Sequence, residues 1–558
     1  MGNAAIYLNP EAYDTGGHAL MGRHSAGESF LRGYIRHAKA EAFYFWNVAN
    51  SPIETLDAFI AKVQPTDKPV TWLGREDRAG LRGPGVAYIP TPNIAKQAVW
   101  RLPFGQTSFG LCGVTHTTAS HDIMDMIGNL LVAPVEPWDA VICTSTAVRA
   151  ATETQLEATR DYMSRRLGVT RPNQPLIETI PLGINAEEFA HRAEDRKRWR
   201  DELDIPEDAI VALYVGRFNV QVKMNPVPMA LALEAAAKRT GRPLYWVVSG
   251  WAKDEEYGAQ FHKDSRETCP SVHYRTVDGR RPDVRFSIWS VADLFLSLSD
   301  NVQETFGLTP LEAMAAGLPC VVSDWDGYRE TVRDGLDGFR IPTYAPRPGL
   351  GKDLSFRYSQ GWDSYNQYAG AAGQFVAVDV EAAGAAIARL ADDPDLRRRM
   401  GDTARAHAHA ALDWRVLIPR YEALWEEQNA RRLAAKARST PPFAPSEDPW
   451  RLDPFRLFAS YPSATPDAAT RYALIPGTSR DDLRFKLNRP VTNHSGRYLP
   501  NGREIEALYV ALSAQETATA AELLQGFPPA RRLFLERTLL WLAKYGIIRV
   551  MPAKSGPA

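Results

Sequence analysis

Short apolar runs, separated by longer segments with helical patterning, recur along most of the chain. In the first part they lie at residues 4–8, 43–46, 70–73, 86–89, 109–114 and 140–143. In the second part they lie at residues 210–215, 245–250, 272–274, 293–299 and 318–323. Runs of this length are typical of buried parallel strands, and the longer segments between them suit crossover helices. The pattern predicts two doubly wound α/β domains.

The stretch 300–317 predicts a functional edge, because it joins the end of a strand to the start of a helix. Thr309 is predicted to cap this helix, with Pro310 at its first position, and Gly317 is predicted to end it. Two carboxylates bracket the helix N-terminus: Glu304 precedes it and Glu312 lies in its predicted first turn.

The backbone of the same turn predicts an anion site. The N–H groups of Gly307, Leu308 and Thr309 have no partner within the predicted helix, and the helix dipole favours negative charge in front of them. We expect this turn to hold an anion such as a diphosphate.

The residues from Glu304 onward read E-T-F-G-L-T-P-L-E-A-M-A-A-G-L-P. This sequence resembles the signature of retaining GT-B glycosyltransferases of the family 4 type (glycosyl transferases group 1), and the resemblance extends over residues 1–430. It implies that Glu304 hydrogen-bonds hydroxyls of a donor sugar and that Glu312 binds the ribose of the nucleotide. The other donor-binding residues that it implies in the second domain are Gly216, Phe306, Gly307, Leu308 and Thr309. The alternative for Glu312 is a helix-dipole contact, which contributes about 0.3–1 kcal/mol.

A glycine pair follows the first predicted strand, at Gly16 and Gly17. Glycines at such a turn let a ligand approach the backbone closely. The spacing is not G-x-G-x-x-G, so the dinucleotide-binding fingerprint is absent. The resemblance implies that this loop faces the donor phosphates and the acceptor; the alternative is a tight turn alone.

The strand that ends at Val114 delivers two histidines to the carboxyl edge of the first sheet, where ligands bind in such folds. The resemblance implies that His116 contacts the donor sugar near the reacting carbon. His121, followed by Asp122, is the competing assignment, and either histidine is alternatively a helix cap or a surface group. The two histidines lack H-E-x-x-H spacing, which disfavours a zinc site.

Two cations follow the first strand of the second domain, at Arg217 and Lys223. Preorganised cations at such a position can stabilise the charge that grows on a departing diphosphate. The resemblance implies this role, although Lys223 stands one place later than the family pattern. The alternative is a solvated surface pair.

Asp324 and Asp326 form a D-x-D sequence after a later strand. In GT-A enzymes a D-x-D binds the metal that bridges the donor phosphates. Here Arg217, Lys223 and the helix dipole can balance the charge of the donor diphosphate without a metal. We therefore expect no metal and no cofactor.

The resemblance sets the expected domain order. Residues 1–190 are expected to form a Rossmann-like domain on the acceptor side, with its final strand near 141–145. Residues 200–410 form the donor-side Rossmann-like domain, and residues 411–432 form a helix that packs back on the first domain. An insertion at 343–374 is placed so that residues 362–368 can cover the cleft. An alanine- and proline-rich linker is expected at 433–470.

Residues 471–558 lie beyond the resemblance and predict a small winged-helix-like domain. Helical patterns at 505–512, 519–524 and 531–545 precede a short strand at 547–550. Such modules bind DNA, pair subunits or bind peptides. The basic residues of the third helix, which favour DNA, are Arg531, Arg532, Arg537 and Lys544.

The composition of the chain argues against several other classes of protein. The net charge of −1 argues against a general nucleic-acid binder. The four cysteines lie far apart and read as buried thiols of a reducing compartment. The chain enters its first strand without a basic segment before it, so we expect no signal peptide and a cytoplasmic protein. No run approaches the ~18 apolar residues of a membrane span, which leaves at most peripheral membrane contact.

Together these features predict a metal-independent, retaining glycosyltransferase with the GT-B fold. The expected donor is a UDP-, GDP- or ADP-linked sugar, and the expected acceptor is a glycan, lipid-linked or peptide- or carrier-linked hydroxyl. Two alternatives remain open: a GT-B sugar phosphorylase, and a silent sugar-nucleotide sensor with a DNA-binding winged helix. The C-terminal domain offers a surface for homodimer formation.

Overall fold

Seven parallel strands build the sheet of the first domain. They are β1 (Ala5–Leu8), β2 (Phe43–Asn47), β3 (Val70–Gly74), β4 (Val86–Ile89), β5 (Gly110–Val114), β6 (Ala140–Cys143) and β7 (Leu176–Thr179). Their spatial order is β3-β2-β1-β4-β5-β6-β7. The crossover helices are α1 (Gly22–His37), α2 (Ile53–Val63), α3 (Ile94–Arg101), α4 (His121–Asn129) and α5 (Thr146–Leu167). The computed structural model describes residues 2–10, 13, 22–437 and 448–551.

The prediction that residues 141–145 form the last strand of this domain is wrong. β7 pairs with β6 beyond it and forms the edge of the sheet. Only Ile177 of its four residues is buried. A short edge strand carries little of the apolar signal by which buried strands are recognised.

Six parallel strands build the sheet of the second domain, as the doubly wound pattern predicted. They are β8 (Ile210–Val215), β9 (Leu244–Gly250), β10 (His273–Asp278), β11 (Leu294–Ser297), β12 (Cys320–Ser323) and β13 (Gly338–Ile341). Their order is β10-β9-β8-β11-β12-β13, so the chain reverses direction across the sheet between β8 and β11. Ligands bind outside the carboxyl ends of strands at such a switch point.

The helices of the second domain cover both faces of its sheet. They are α6 (Ala193–Glu202), α7 (Val227–Thr240), α8 (Glu255–Thr268), α9 (Leu308–Ala315), α10 (Tyr328–Thr331), α13 (Val380–Asp392) and α14 (Pro394–Ala411). The two α/β domains give the two-domain GT-B architecture that the sequence predicted.

The insertion folds as a helical hairpin. It comprises β14 (Thr343–Tyr344), α11 (Lys352–Ser359), α12 (Tyr365–Gln374) and β15 (Ala377–Val378). The ring of Tyr358 lies 3.8 Å from that of His121, and its hydroxyl donates to the carbonyl oxygen of Ala119 of the first domain at 3.4 Å. Trp362 is instead exposed and packs edge-on against Phe356. The hairpin therefore bridges the two domains through Tyr358.

Helix α15 (Trp414–Ala437) returns to the first domain. Leu417, Tyr421 and Leu424 belong to the apolar core beneath the first sheet. The Glu422 carboxylate accepts the backbone N–H groups that follow α1, at 2.8 and 3.1 Å. The Gln428 amide donates to two backbone carbonyls of the first domain at 2.8 and 3.0 Å.

The same helix continues to Ala437, past the expected end at 432 and into the stretch interpreted as a linker. Arg432 is buried and donates to the carbonyl oxygens of Thr107 and Ser108, which fixes this turn against the first domain. Ala434 and Ala435 then favour continued helix.

The remaining residues form a second unit, Trp450–Ala558. Its elements are α16 (Pro454–Leu457), β16 (Arg471–Leu474), α17 (Arg480–Leu487), α18 (Gly502–Ser513), β17 (Ala518–Thr519), α19 (Ala520–Leu524), α20 (Pro529–Lys544) and β18 (Ile548–Val550). The three predicted helices and the strand after them are present. The winged-helix assignment itself stays a prediction.

Two basic side chains of α20 bind within this unit. Arg531 forms a two-bond pair with Glu504 at 2.8 and 2.7 Å. Arg532 donates to the carbonyl oxygens of Gln525 and Phe527. Half of the basic set that favoured DNA is therefore committed to folding.

The four cysteines are buried free thiols, as predicted. Among the helices of residues 22–437 and 448–551, none combines the length and apolar character that a membrane span requires.

Candidate active site between the two Rossmann-like domains

The turn from β11 to α9 has a glycine at its centre. Gly307 adopts a φ of +81°, and a Cβ there would lie 2.0 Å from the ring of Tyr328. The helix begins at Leu308, so Thr309 is not the N-cap and Pro310 is not the first helical residue. Gly307 provides the reversal in their place, and Pro310 is tolerated in the first turn because its missing N–H would have had no helical partner.

Glu304 and Lys223 form an ion pair in front of this turn. Nζ of Lys223 lies 2.6 Å from Oε2 of Glu304, and the two side chains are 18% and 12% exposed. Burial alone would raise the pKa of Glu304, but Lys223 and the N–H groups of Thr305 and Phe306 outweigh it and hold the pKa below its usual range. The sequence assigned Glu304 and Lys223 to different parts of a donor, whereas the structure joins them as one ionised pair.

Gly216 brings the backbone after β8 close to that pair. A Cβ on Gly216 would lie 3.3 Å from Cε of Lys223 and 2.5 Å from the Tyr214 hydroxyl. Arg217 follows, and its carbonyl accepts a hydrogen bond from Tyr214 at 3.3 Å. The charges of Lys223, Glu304 and Arg217 all act on the pKa of the Tyr214 hydroxyl, so the four side chains lie close together. The structure therefore gathers both predicted cations and the predicted sugar carboxylate at one sheet edge.

The first domain meets this edge beside Glu304. The Thr305 hydroxyl donates to the carbonyl oxygen of His116 at 3.1 Å. The Thr144 hydroxyl donates to the carbonyl oxygen of Thr305 at 3.4 Å. The backbone of His116 therefore lies next to the turn between β11 and α9.

The competing histidine is held elsewhere. His121 is the first residue of α4, and its N–H and Nε2 lie 2.9 and 2.8 Å from the hydroxyl and the carbonyl oxygen of Tyr358. These contacts hold His121 against the α11–α12 hairpin. The assignment of His116 to the donor sugar stays a prediction.

Phe306 contributes backbone and not a side-chain surface. Its ring is 1% exposed and packs in the core of the second domain. Its N–H helps to lower the pKa of the Glu304 carboxyl group. Gly16 and Gly17 lie outside the described residues.

An ionic network that the sequence did not predict crosses the cleft near Glu312. Arg285, which follows β10, pairs at 2.6 Å with Glu28 of α1. Glu28 also pairs with Arg32, which reaches Glu188 at 2.7 Å. None of these residues belongs to a motif, and only the folded chain brings α1 to α9. The network places Arg285 within electrostatic range of Glu312.

The pKa of Glu312 is raised to about 7 by burial, with Arg285 and Lys223 opposing the rise. A ribose hydroxyl donates to a carboxylate, so binding should favour the ionised form. We expect nucleoside diphosphate affinity to fall as pH drops below about 7, by up to about tenfold per pH unit. Isothermal titration with UDP, GDP and ADP between pH 5.5 and 8.5 measures this slope.

Glu312→Gln is the control, because ionisation of the ligand affects both proteins equally. It should bind more weakly at pH 8 and show the smaller slope. An equal slope in the variant would place the titrating group elsewhere and leave Glu312 as a helix-dipole contact.

The D-x-D residues diverge. Asp324 lies 3.7 Å from Arg329 and 3.5 Å from Arg340, whereas Asp326 accepts a hydrogen bond from Ser145 of the first domain. Within the described ranges, no three His, Cys, Asp or Glu side chains converge as a metal would require. Metal independence stays a prediction.

The segment that carries Arg217, Glu304 and Glu312 matches a family model over residues 195–347. The family is glycosyl transferases group 1. The expectation of a glycosyl transferase domain is confirmed for this segment. The family 4 subtype and retention of configuration stay predictions.

Curated relatives match over part of their length. A lipopolysaccharide 1,2-N-acetylglucosaminetransferase of Salmonella typhimurium is 28% identical over 30% of this chain and 43% of its own length. A D-inositol 3-phosphate glycosyltransferase of Streptomyces scabiei is 27% identical over 49% of this chain and 54% of its own. The chain thus spans about half the length of the curated relatives it matches.

Two solved structures resemble the fold at low identity. Anabaena HepE, solved in complex with UDP, has 14% identity and a TM-score of 0.47, covering 78% of this chain and 100% of its own. Sucrose-phosphate synthase from Thermosynechococcus elongatus has 18% identity and a TM-score of 0.46, covering 79% of this chain and 100% of its own.

Proposed function

We propose that the cleft binds a nucleotide sugar and transfers its glycosyl group to an acceptor hydroxyl with retention of configuration. The observation that carries this proposal is the ionised Lys223–Glu304 pair in front of α9, with Arg217 beside it. The pair supplies an acceptor for sugar hydroxyls and a cation for phosphate at one place.

The donor diphosphate fits the N-terminus of α9. Among the described residues, the N–H groups of Gly307, Leu308 and Thr309 donate to no backbone carbonyl. The helix dipole adds positive potential at the same point. Glu312 follows one turn later, where it can accept ribose hydroxyls.

Arg217 and Lys223 act when the glycosidic bond breaks. Negative charge then grows on the leaving diphosphate, and cations fixed beforehand stabilise it without reorganising. Glu304 holds the position of Lys223 before the donor arrives and takes sugar hydroxyls afterwards.

Retention in this scheme needs no protein nucleophile. The acceptor hydroxyl attacks from the side on which the diphosphate leaves, and the departing oxygen takes the hydroxyl proton. His116, beside Thr305, lies where the first domain meets the donor sugar. The acceptor is a glycan, lipid-linked or peptide- or carrier-linked hydroxyl, and the site of action is cytoplasmic.

The test uses the full-length chain with UDP-, GDP- and ADP-sugars. One base should raise the melting temperature, since a ligand at 100 times its Kd adds about 2.7 kcal/mol of stability. The same donor should be hydrolysed slowly, and EDTA should leave the rate unchanged. NMR should show that the sugar is released with the anomeric configuration, α or β, that it had in the donor.

Three outcomes would contradict the proposal. Stabilisation by sugar 1-phosphates with phosphate exchange would indicate a phosphorylase. Nucleotide-sugar binding without hydrolysis or transfer, together with binding to a DNA duplex, would indicate a sensor. Activity lost in EDTA and restored by magnesium or manganese would make a metal part of the site.

A further inference from the structure

The D-x-D sequence, which the proposed reaction does not use, lies at a joint between the two domains. The Ser145 hydroxyl donates to Oδ1 of Asp326 at 2.7 Å. The N–H and hydroxyl of Thr146 both donate to Oε1 of Glu330. Ser145 and Thr146 belong to the first domain, and the two acids belong to the second.

These contacts form at the start of α5. Ser145 is the N-cap of that helix and accepts the N–H of Val148 at 3.1 Å. The first N–H groups of a helix lack internal partners, and its dipole favours acids in front of them. Asp326 and Glu330 therefore complete the end of a helix that belongs to the other domain.

Both the backbone conformation and the surroundings of Asp326 are unfavourable. Its φ is +43°, in the left-handed region that side chains with a Cβ seldom adopt. Its carboxyl group is partly buried, near the carboxylates of Glu304 and Glu330. Strained residues of this kind persist where the surrounding structure fixes them, and they concentrate at functional sites.

The loop behind this contact packs directly on residues 304–309, which form the donor turn between β11 and α9. A Cβ on Gly327 would lie 2.4 Å from Cα of Phe306. The ring of Tyr328 fills the space next to Gly307, and its hydroxyl lies 2.9 Å from that of Ser297. Because closely packed groups move together, a shift of Asp326 displaces the backbone that follows Glu304.

We propose that Asp326 and Glu330 are positioning residues that fasten the first domain over the donor turn in the closed cleft. This inference rests on the proposed function. The two acids hydrogen-bond to the start of α5. The backbone of Gly327 and Tyr328 packs on the turn that carries Glu304 and couples these hydrogen bonds to the position of that turn. The fastening sets the distance between His116 and Glu304 at the moment of transfer.

Asp326→Gly is the decisive variant. Glycine adopts a φ of +43° without strain, which offsets the entropy that glycine adds to the unfolded chain, so the variant should fold with a melting temperature close to that of the wild type. Loss of the hydrogen bond to Ser145 should lower kcat for transfer by about 10- to 100-fold, since small misplacements of reacting groups lower reaction rates by such factors. The Kd for the nucleoside diphosphate should stay within threefold.

Asp324→Asn is the matched control, because Asp324 lies in the same loop and faces Arg329 and Arg340 of its own domain. It should keep kcat within twofold. Ser145→Ala should mimic Asp326→Gly, and the double variant should lose no more than either single one. Wild-type kcat in Asp326→Gly would overturn the proposal, and so would additive losses in the double variant.

A second readout does not depend on catalysis. Tyr162 on α5 and Tyr257 on α8 are 61% and 63% exposed, and the native cysteines are buried. Spin labels on Tyr162→Cys and Tyr257→Cys therefore report the distance between the domains. Asp326→Gly and Glu330→Gln should broaden and lengthen that distance in the ligand-free protein.

The two readouts separate the two proposals. An unchanged distance distribution in both variants would overturn the fastening, whatever the enzyme does. A broadened distribution in a protein that binds no nucleotide would leave the fastening in place and refute the proposed function alone.

Discussion

Arg217→Ala is expected to lower glycosyl transfer by about 10²-fold or more, with a much smaller effect on donor binding. The guanidinium lies two residues beyond β8, near Lys223 and Tyr214. Its charge matters most when the diphosphate leaves, so kcat should carry the loss. Steady-state kinetics with the donor found by thermal shift measures the effect.

Arg280→Ala is the control for that measurement. Arg280 also lies two residues beyond a strand of the same sheet, but it is 56% exposed and paired with Asp278. It should keep kcat within twofold. Similar losses in both variants would mean that the sheet edge as a whole is sensitive, and no loss in Arg217→Ala would return Arg217 to a solvated surface role.

Glu304→Gln is expected to remove transfer by about 10²-fold or more while free nucleoside diphosphate binds within a few fold of wild type. The carboxylate is assigned to the sugar, which the free diphosphate lacks. Substitution also releases Lys223 from its pair, which favours an anion at the turn. Titration calorimetry and transfer assays on the same preparation separate the two effects.

Glu234→Gln controls for the loss of a carboxylate from an ion pair. Glu234 is 9% exposed and lies 3.0 Å from Lys238, on α7 and away from the cleft. This variant should lose stability and keep its activity per folded molecule. If Glu304→Gln loses diphosphate affinity as steeply as transfer, Glu304 contacts the phosphates and the assignment to the sugar is wrong.

The sequence predicted elements wherever burial was two-sided. The runs at β8, β9 and β12 are almost wholly apolar because both faces of each strand are covered. Arg340 interrupts β13 and Glu178 interrupts β7, so neither strand formed an apolar run that stood out. Apolar periodicity detects burial and not hydrogen-bonded pairing.

The same distinction explains the site. Glu304, Glu312 and Arg217 lie in local sequence patterns, so their neighbourhood was predictable. The Glu28–Arg285 pair joins residues 257 positions apart. The Ser145–Asp326 bond joins residues 181 positions apart. Contacts of that range depend on how two domains meet, and one sequence does not encode them locally.

The return of α15 to the first domain has a consequence for synthesis on the ribosome. Trp414 packs against Gly33 and Gly183, and Glu422 satisfies the backbone N–H groups of Lys39 and Ala40. The first domain therefore cannot cover its core until the residues of α15, some four hundred positions later, have been translated. The second domain, whose strands and helices follow one another without this gap, is complete earlier. We therefore expect the first domain, although it is translated first, to complete its core last.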